Sequence, residues 1–370
     1  MQKIKPLIKK VIPKKFLPKI TNLFKKISTQ VKLGFLSVFS SSKLLSNWYF
    51  GILNHDFIRE HKATLAGKKK YYKQLQSVTD SSYLLRRNIH RLEKGLIMPE
   101  RRSIFALDFI RETVIEFQRM VENGNVQLAS NAEIKWADDV LEAYFSAVDQ
   151  NNPVISRCSE IYRISKSKLN QCSEQSKLKS VPFVRDLESE TVSYADFYNL
   201  SKRRRSVRFY EPEIPDRKLV DMAVLAAAQS PSACNRQPFT FRLFDEPEMV
   251  KKVAGIPAGT KTFYKDLPAI GVVVGHLSAY YRSRDRHAIY VDGSLAVMSF
   301  VYALETLGMS SCVINWGDEE PAESKMSALL GLEPDDRVLM LVAYGYPKKD
   351  LLVPFSSKRN LESIRKYNEY

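Results

Sequence analysis

The side chains best suited to chemistry gather in the last part of the chain, and the first of them are cationic. Lys202-Arg203-Arg204-Arg205-Ser206-Val207-Arg208 sets four guanidinium groups and a hydroxyl in one short stretch. Arginine forks match phosphate oxygens two at a time, and a serine hydroxyl adds a compact donor, so the stretch suits a phosphorylated ligand. An ordinary solvated face carries the same kind of run. Next comes Ser230-Pro231-Ser232-Ala233-Cys234-Asn235-Arg236-Gln237-Pro238, polar turn chemistry between an expected helix and an expected strand. Its small residues let a flat ligand approach, and Asn235 and Gln237 offer amide donors and acceptors. Read alone it is only a turn, with Cys234 a small buried residue rather than a nucleophile. Asn315-Trp316-Gly317-Asp318 and Gly345-Tyr346-Pro347 each follow an expected strand, and Lys358-Arg359-Asn360-Leu361 closes the series. Trp316 by itself reads as core rather than as a cofactor stack.

Other engines are excluded. The five histidines, His55, His61, His90, His276 and His287, form no metal-ligand spacing with one another or with the cysteines. Gly255-Ile-Pro-Ala-Gly259-Thr-Lys261 looks like a phosphate loop, but it is one residue short and Thr260 takes the lysine's place. With no expected strand before it, it reads as a turn. No G-x-G-x-x-G marks a dinucleotide site and no G-x-S-x-G marks a hydrolase elbow. No side chain is assigned as a general acid, and no metal ligand is assigned.

These segments must be positioned by the elements around them. Pro215–Ala228 reads as a helix, Phe239–Asp245 and Ala269–Gly275 as strands, and Tyr290–Leu307 as a long apolar helix ending at Gly308. Ser311–Ile314 and Val338–Tyr344 complete a set of short strands. Helices alternating with strands predict an α+β or α/β layer plan around one sheet. From Asp56 to about Ser180 the text is helical instead, with helices expected at Ser82–Leu96, Phe105–Val121 and Ile134–Val148. The charged run His90–Lys94 reads as a solvated helix face with neighbouring ion pairs. Four scattered cysteines fit a reducing cytoplasm rather than a disulfide framework.

Charge divides the chain unevenly. The 370 residues carry +16, and Met1–His55 holds eleven lysines with no arginine and no acid. The tail's +11 leaves only +5 for the other 315 residues, which argues against a uniformly basic nucleic-acid binder. Lysines and prolines break every early apolar run, so no secretory signal is expected, and Leu33–Leu53 is too interrupted to read as a membrane span. Ile20, Leu23, Phe24, Ile27 and Val31 recur at helical spacing with Lys19, Lys25, Lys26 and Lys32 mostly between them. One apolar and one cationic face suit a helix lying on anionic lipid; a helix packed on its own protein is the alternative. The expected divisions are a basic amphipathic tail at 1–55, a helical region at 56–185 and the site-bearing domain at 186–370.

Taken together and in this order, the site segments resemble the FMN-dependent nitroreductase family over about Tyr194–Ile364. Arg204-Arg205-Ser206-Val207-Arg208 resembles the family's opening R-x-S-x-R/K motif, and Pro231–Pro238 is similar to its P-S-x-x-N-x-Q-P loop. The resemblance implies a mixed central sheet flanked by helices, a dimer, and FMN as cofactor. It assigns the phosphate and ring edge to Arg204, Arg205, Ser206, Arg208 and Arg359. It assigns the ring border to Pro231, Ser232, Ala233, Asn235 and Gln237, and contacts near flavin N5 to Trp316, Gly317 and Asp318. It further implies hydride transfer from NAD(P)H to an electron-poor small molecule in ping-pong fashion by a homodimer; the cysteine usage and the basic tail add the expectation of a cytoplasmic protein peripheral to the inner membrane face. A flavin-binding scaffold or sensor without turnover, and a basic adaptor for anionic lipid or polymer, are the competing expectations. The segment between His276 and Asp292, where the family often carries its substrate lid, is short here.

Overall fold

The computed structural model describes residues 17–74, 82–122, 131–169, 179–186, 188 and 192–368. Cys172, the first sixteen residues of the tail and parts of the expected helical region fall outside them. Two compact units are formed, Met1–His61 and Lys62–Tyr370.

In the first unit, helices α1 (Leu17–Ser40) and α2 (Lys43–Trp48) are followed by a π-helical turn at Tyr49–Leu53. The Ser42 hydroxyl caps α2 by accepting the Leu45 N–H, the usual answer to the orphan donors of a helix start. The helix expected from Ile20 to Val31 is present in the backbone; of its apolar stripe, Val31 is exposed, and the other four side chains lie outside the described set. Phe35, Phe39, Tyr49, Phe50 and Phe57 form a chain of ring contacts with neighbouring centroids 4.6–6.0 Å apart.

The second unit begins within α3 (Ile58–Gln74) and continues with α4 (Tyr83–Leu96), α5 (Ile110–Glu122), α6 (Asn131–Ala147) and α7 (Pro153–Leu169). Apolar residues at helical spacing, among them Leu85, Ile89 and Leu92 of α4, Ile110, Val114 and Phe117 of α5, and Val140, Leu141 and Tyr144 of α6, pack into one bundle core. Helix α5 starts five residues later than the sequence predicts. Ala106 sits at φ 64°, a left-handed turn that ends any earlier helix. Phe105 is used elsewhere, packed edge-on against Tyr144 with centroids 5.0 Å apart.

The charged face of α4 is not the solvated surface its sequence suggests. His90 pairs with Glu93 at 3.2 Å, and Glu93 also accepts the Trp136 indole N–H at 2.9 Å. Arg91 lies 3.5 Å over the Phe109 ring and pairs with Asp108. Beyond the His90–Glu93 pair within α4, the partners come from the turn before α5 and from α6, so packing rather than water takes up much of the charge.

The rest of the unit comprises α8 (Tyr194–Arg203), α9 (Arg217–Ala228), β1 (Phe239–Phe244), α10 (Pro247–Ala254), β2 (Ala269–His276), α11 (Ala288–Thr306), β3 (Ser310–Asn315), α12 (Ala322–Leu330), β4 (Asp336–Gly345) and a last turn α13 (Leu361–Ile364). The sheet runs β1-β2-β4-β3, and all three strand pairs are antiparallel. The mixture of directions implied by the family reduces to one parallel bridge, Ser206 to Ser311. Connections through helices carry the chain across the sheet without making any two neighbouring strands parallel. Both faces are covered: Val273, Leu339 and Tyr344 meet α9 and α11, while Val272, Val274 and Leu341 share a core with α10 and α12. That double burial is why β2 and β4 read as nearly unbroken apolar runs.

Segment Ser283–Thr306 is the one described stretch long and apolar enough to cross a bilayer by length and composition. In the fold it is the helix lying on the sheet, with Ile289, Ala296, Phe300 and Leu304 buried there. Its other side leaves Val291, Leu295 and Met298 exposed. Helix α3 also approaches the sheet closely. A Cβ on Gly67 would stand 2.8 Å from the Leu277 backbone, so only glycine fits.

Candidate functional site

The cationic stretch is laid against the sheet edge by a change of backbone geometry at Arg204. There the chain leaves α8, with φ −56° and ψ 119°, and becomes extended. Ser206 bridges to Ser311, and the Val207 N–H donates to the Ser311 carbonyl at 3.0 Å. Val207 packs toward the core shared with α10 and α12. Side chains alternate along an extended segment, so Ser206 and Arg208 leave on the side opposite Val207. Tyr210 locks the far end, donating from its hydroxyl to the carbonyls of Val207 (2.6 Å) and Ala343 (3.2 Å). Burial pushes that hydroxyl's pKa well up, so it stays a donor.

Arg208 opens onto a cavity of about 590 Å³, within the roughly 300–1,000 Å³ usual for small-molecule sites. Its walls come from four places: the turn after α10 with Lys261, the ring of Phe263, the end of β3 from Cys312 through Trp316 and Gly317, and the segment from Glu319 to Ala322. The Arg208 guanidinium is 5.9 Å from the Phe263 ring centroid, and its Nη1 donates to the Ser206 carbonyl at 3.1 Å. A Cβ on Gly317 would meet only the Glu319 side chain, at 3.9 Å, so backbone rather than side chain forms that wall.

A buried pair holds the Trp316–Asp318 loop from behind. Trp316 donates its indole N–H to Glu323, itself buried. Arg337, 2% exposed, reaches Asp318 at 2.8 Å and Glu323 at 3.6 Å. Burial alone would lower the Arg337 pKa, but Glu323, Tyr290 and Asp318 hold it above the ordinary arginine value.

The second sequence segment folds as a single 3₁₀ turn, Ala233–Asn235, at the start of α11. Ser230 shares a 2.8 Å hydrogen bond with Ser299, and the Ala233 N–H donates to Asp292 at 3.1 Å. Tyr280 donates to the same carboxylate at 2.9 Å. Burial raises the Asp292 pKa, and these two bonds oppose the rise. Cys234, Asn235 and Gln237 all have positive φ, at 54°, 51° and 50°. Each such non-glycine residue costs about 1–3 kcal/mol, so its surroundings must hold the turn in shape. The Ser232 hydroxyl accepts the Gln237 N–H at 3.0 Å, and the Gln237 side-chain amide donates to the Ala228 carbonyl at 3.2 Å. Arg236 folds inward, its guanidinium 4.8 Å over the Tyr280 ring and bonded to the Ala233 carbonyl.

Of the residues singled out from sequence, Arg208, Trp316 and Gly317 line one cavity, with Ser206 on the segment beside it. Arg204 and Arg205 precede them on that segment, Arg205 donating to the Arg204 carbonyl at 3.3 Å. Asp318 is engaged by Arg337. Pro231, Ser232, Ala233, Asn235 and Gln237 do not line this cavity. Arg359 is exposed and donates to the Ser363 carbonyl at 2.8 Å, away from it. Sequence reasoning dismissed Gly255–Lys261 as a turn; a turn it is, yet it walls the cavity. Phe263, Glu323 and Arg337 carried no spacing signal at all.

The donor set fits FMN on this geometry. The lining carries two cations, Arg208 and Lys261, against two carboxylates, Glu319 and Glu320; Arg208 can take a phosphate, Phe263 and Trp316 supply aromatic walls, and the open backbone at Gly317 allows a flat ring system to approach. The nitroreductase family model matches residues 201–262 and 249–346. Iodotyrosine deiodinase 1 of Pongo abelii is 22% identical over 200 residues, covering 46% of this chain and 67% of that protein. Iodotyrosine deiodinase of Drosophila melanogaster is 25% identical over 214 residues, 50% of this chain and 74% of its own. An FMN-dependent nitroreductase from Clostridium difficile R20291 aligns in structure over 47% of this chain and 99% of its own, at 18% identity and a TM-score of 0.41. The family match begins just before Arg204 and ends at Tyr346, so it takes in the cationic segment, the Ser230–Pro238 turn, the sheet and the cavity. The C-terminal half of the chain therefore carries a domain of the nitroreductase family, a family of FMN-dependent oxidoreductases.

Proposed function

We propose that the chain is an FMN-dependent oxidoreductase that passes hydride from NAD(P)H to an electron-poor small molecule in two half-reactions, as a homodimer. The observation that carries this reading is the convergence of Arg208, Trp316 and Gly317 on one cavity inside the family match. Bound FMN supplies the hydride relay between donor and acceptor. Arg208, with Arg204 and Ser206, binds the phosphate and ring edge through charge-assisted hydrogen bonds. Trp316 walls the ring, and the Gly317 and Asp318 amides orient it, with Glu323 and Arg337 keeping that loop still. No side chain is required to move a proton.

Two features support the homodimer. The cavity and the Pro231–Gln237 turn are separate within one chain, although the family's pattern assigns both to a single flavin. Helix α11 also exposes Val291, Leu295 and Met298 beside that turn, an apolar face suited to a two-fold contact. Two copies joined there complete each site with the other's turn. The acceptor is an electron-poor small molecule. The deiodinase relatives are named for acting on iodotyrosine, so a halotyrosine belongs in the acceptor panel beside a nitroaromatic and a quinone.

The test is the absorbance of the purified full chain under anaerobic conditions. Flavin bands should bleach with NADH or NADPH and return when an acceptor is added. Bands that resist bleaching indicate a scaffold or sensor. A protein with no flavin and no uptake of FMN overturns the reading.

The first unit is proposed to dock this enzyme on an anionic membrane surface. Eleven lysines without an acid in residues 1–55 supply the attraction, about 1 kcal/mol each close to such a surface. Phe35, Leu36, Leu44, Trp48 and Ile52 are exposed and available for insertion. Full-length protein should sediment with anionic vesicles at low salt and much less with neutral ones. A chain beginning at Asp56 should keep its flavin and stay in the supernatant; equal sedimentation would remove the tail as anchor.

A further inference from the structure

The helical bundle reaches the turn that carries Ser232 and Asn235, and it does so through one arginine. Arg86, in the first turn of α4, donates from Nε to the Asn235 carbonyl at 2.8 Å. Its Nη1 donates to Glu133 of α6 at 2.9 Å, and its guanidinium stands over the Trp136 ring, 5.6 Å from the centroid. Both partners of the ion pair are largely buried, with side chains 15% and 14% exposed. One residue on, Arg87 stands 5.8 Å over the ring of Tyr281, the neighbour of Tyr280, and Tyr71 of α3 packs against the same ring.

We propose that the bundle is a built-in brace for the flavin turn, and that Arg86 is the positioning residue holding Ser232–Gln237 in its binding conformation. This rests on reading that turn as part of an FMN site. The turn needs a brace because Cys234, Asn235 and Gln237 all sit in the left-handed region, where side-chain-bearing residues do not stay unaided. The carbonyl that Arg86 grips belongs to the middle one of these three.

Arginine is suited to the task because its planar fork offers two donors at a fixed angle, one for the carbonyl and one for the carboxylate. Lysine, a single point charge on a flexible stem, cannot hold both in that arrangement. Glu133 and Trp136 fix Arg86 in turn, so the turn's shape is tied to the packing of α4 on α6. A turn held in shape beforehand avoids an ordering cost when FMN binds. The helical region thereby gains a role in cofactor affinity without touching the cofactor.

The experiment compares hydrogen exchange of amides in residues 231–238, and FMN affinity by flavin fluorescence, in full-length wild type and Arg86→Lys. The substitution should speed exchange in this turn by about tenfold and weaken FMN by about tenfold, with thermal melting little changed. A merely structural loss would lower the melting temperature without confining faster exchange to the turn. Glu133→Gln keeps the bond to Asn235 but loosens its anchor, so it should move both readouts the same way by less. It decides the matter alone if Arg86→Lys fails to fold. Exchange and affinity within twofold of wild type in the folded variants would overturn the brace. If wild type takes up no FMN, the flavin reading fails, and the exchange comparison still decides whether Arg86 holds the turn.

Discussion

Glu323→Ala should lower the thermal midpoint by roughly 6–20 °C. Removing one partner from a buried ion pair costs about 3–5 kcal/mol, and each kcal/mol moves the midpoint of a domain of this size by about 2–4 °C. The cost arises because Glu323 serves two buried groups together, accepting from the Trp316 indole and pairing with the Arg337 guanidinium. Asp318 and Tyr290 would remain for Arg337, but Asp318 is half-exposed and Tyr290 carries no full charge, so they compensate only in part. Glu323→Gln keeps an acceptor for Trp316 and should lie between the two. Replacing both buried charges, with Glu323→Leu and Arg337→Met, should recover much of the loss, because an apolar pair leaves no desolvated charge behind. Thermal melts of the four proteins check the order. Glu323→Ala melting within about 2 °C of wild type would show that the pair contributes little, and that Trp316 and Asp318 are held by something else.

This pair also marks the limit of what a single sequence discloses. Strands β2 and β4 were legible because each is buried on both faces, which leaves an almost uninterrupted apolar run with ends good to two residues. The long helix α11 was legible because its exposed side is apolar too, with Val291, Leu295 and Met298 opposite the residues buried on the sheet. Glu323 and Arg337 are fourteen positions apart on different elements, and nothing in their spacing distinguishes them from surface charges. The cations of α4 were misjudged on similar grounds. His90–Lys94 looks like a solvated face until α6 supplies Trp136 for Glu93 and the turn before α5 supplies Asp108 and Phe109 for Arg91.

The candidate site divides in the same way. Arg208 and Trp316 could be picked out because a family pattern names them, and the Ser206–Ser311 bridge brings their segments side by side. Composition alone left both as ordinary basic and core residues. The wall formed by the turn after α10 could not be picked out, since Gly255–Lys261 fails as a phosphate motif and only the fold brings it opposite Arg208. The separation of the Pro231–Gln237 turn from the cavity was likewise invisible. Motif order along a chain does not say whether two motifs meet within one copy.

Arg208→Ala should weaken FMN binding by roughly tenfold to a hundredfold, the equivalent of one charge-assisted hydrogen bond of about 1.5–3 kcal/mol. Stability should change little, because Arg208 is only half-buried and its bond to the Ser206 carbonyl lies within its own segment. The group it contacts can be identified by varying the ligand instead of the protein. Riboflavin carries the ring without the phosphate. If Arg208 grips the phosphate, the substitution should weaken FMN and leave riboflavin binding as it was. If Arg208 grips the ring edge, both ligands should lose affinity by the same factor. Arg208→Lys separates charge from shape: a phosphate site should keep much of its affinity with a lysine, whereas bidentate recognition should not. Equilibrium titration of flavin fluorescence measures all four combinations of ligand and variant, and adding salt weakens the phosphate contact more than the ring contact. Full FMN affinity in Arg208→Ala would mean that the cavity beside it is not where the cofactor binds. The flavin would then have to be sought at the Pro231–Gln237 turn, where Asn235 and the Asp292 network stand apart from Arg208.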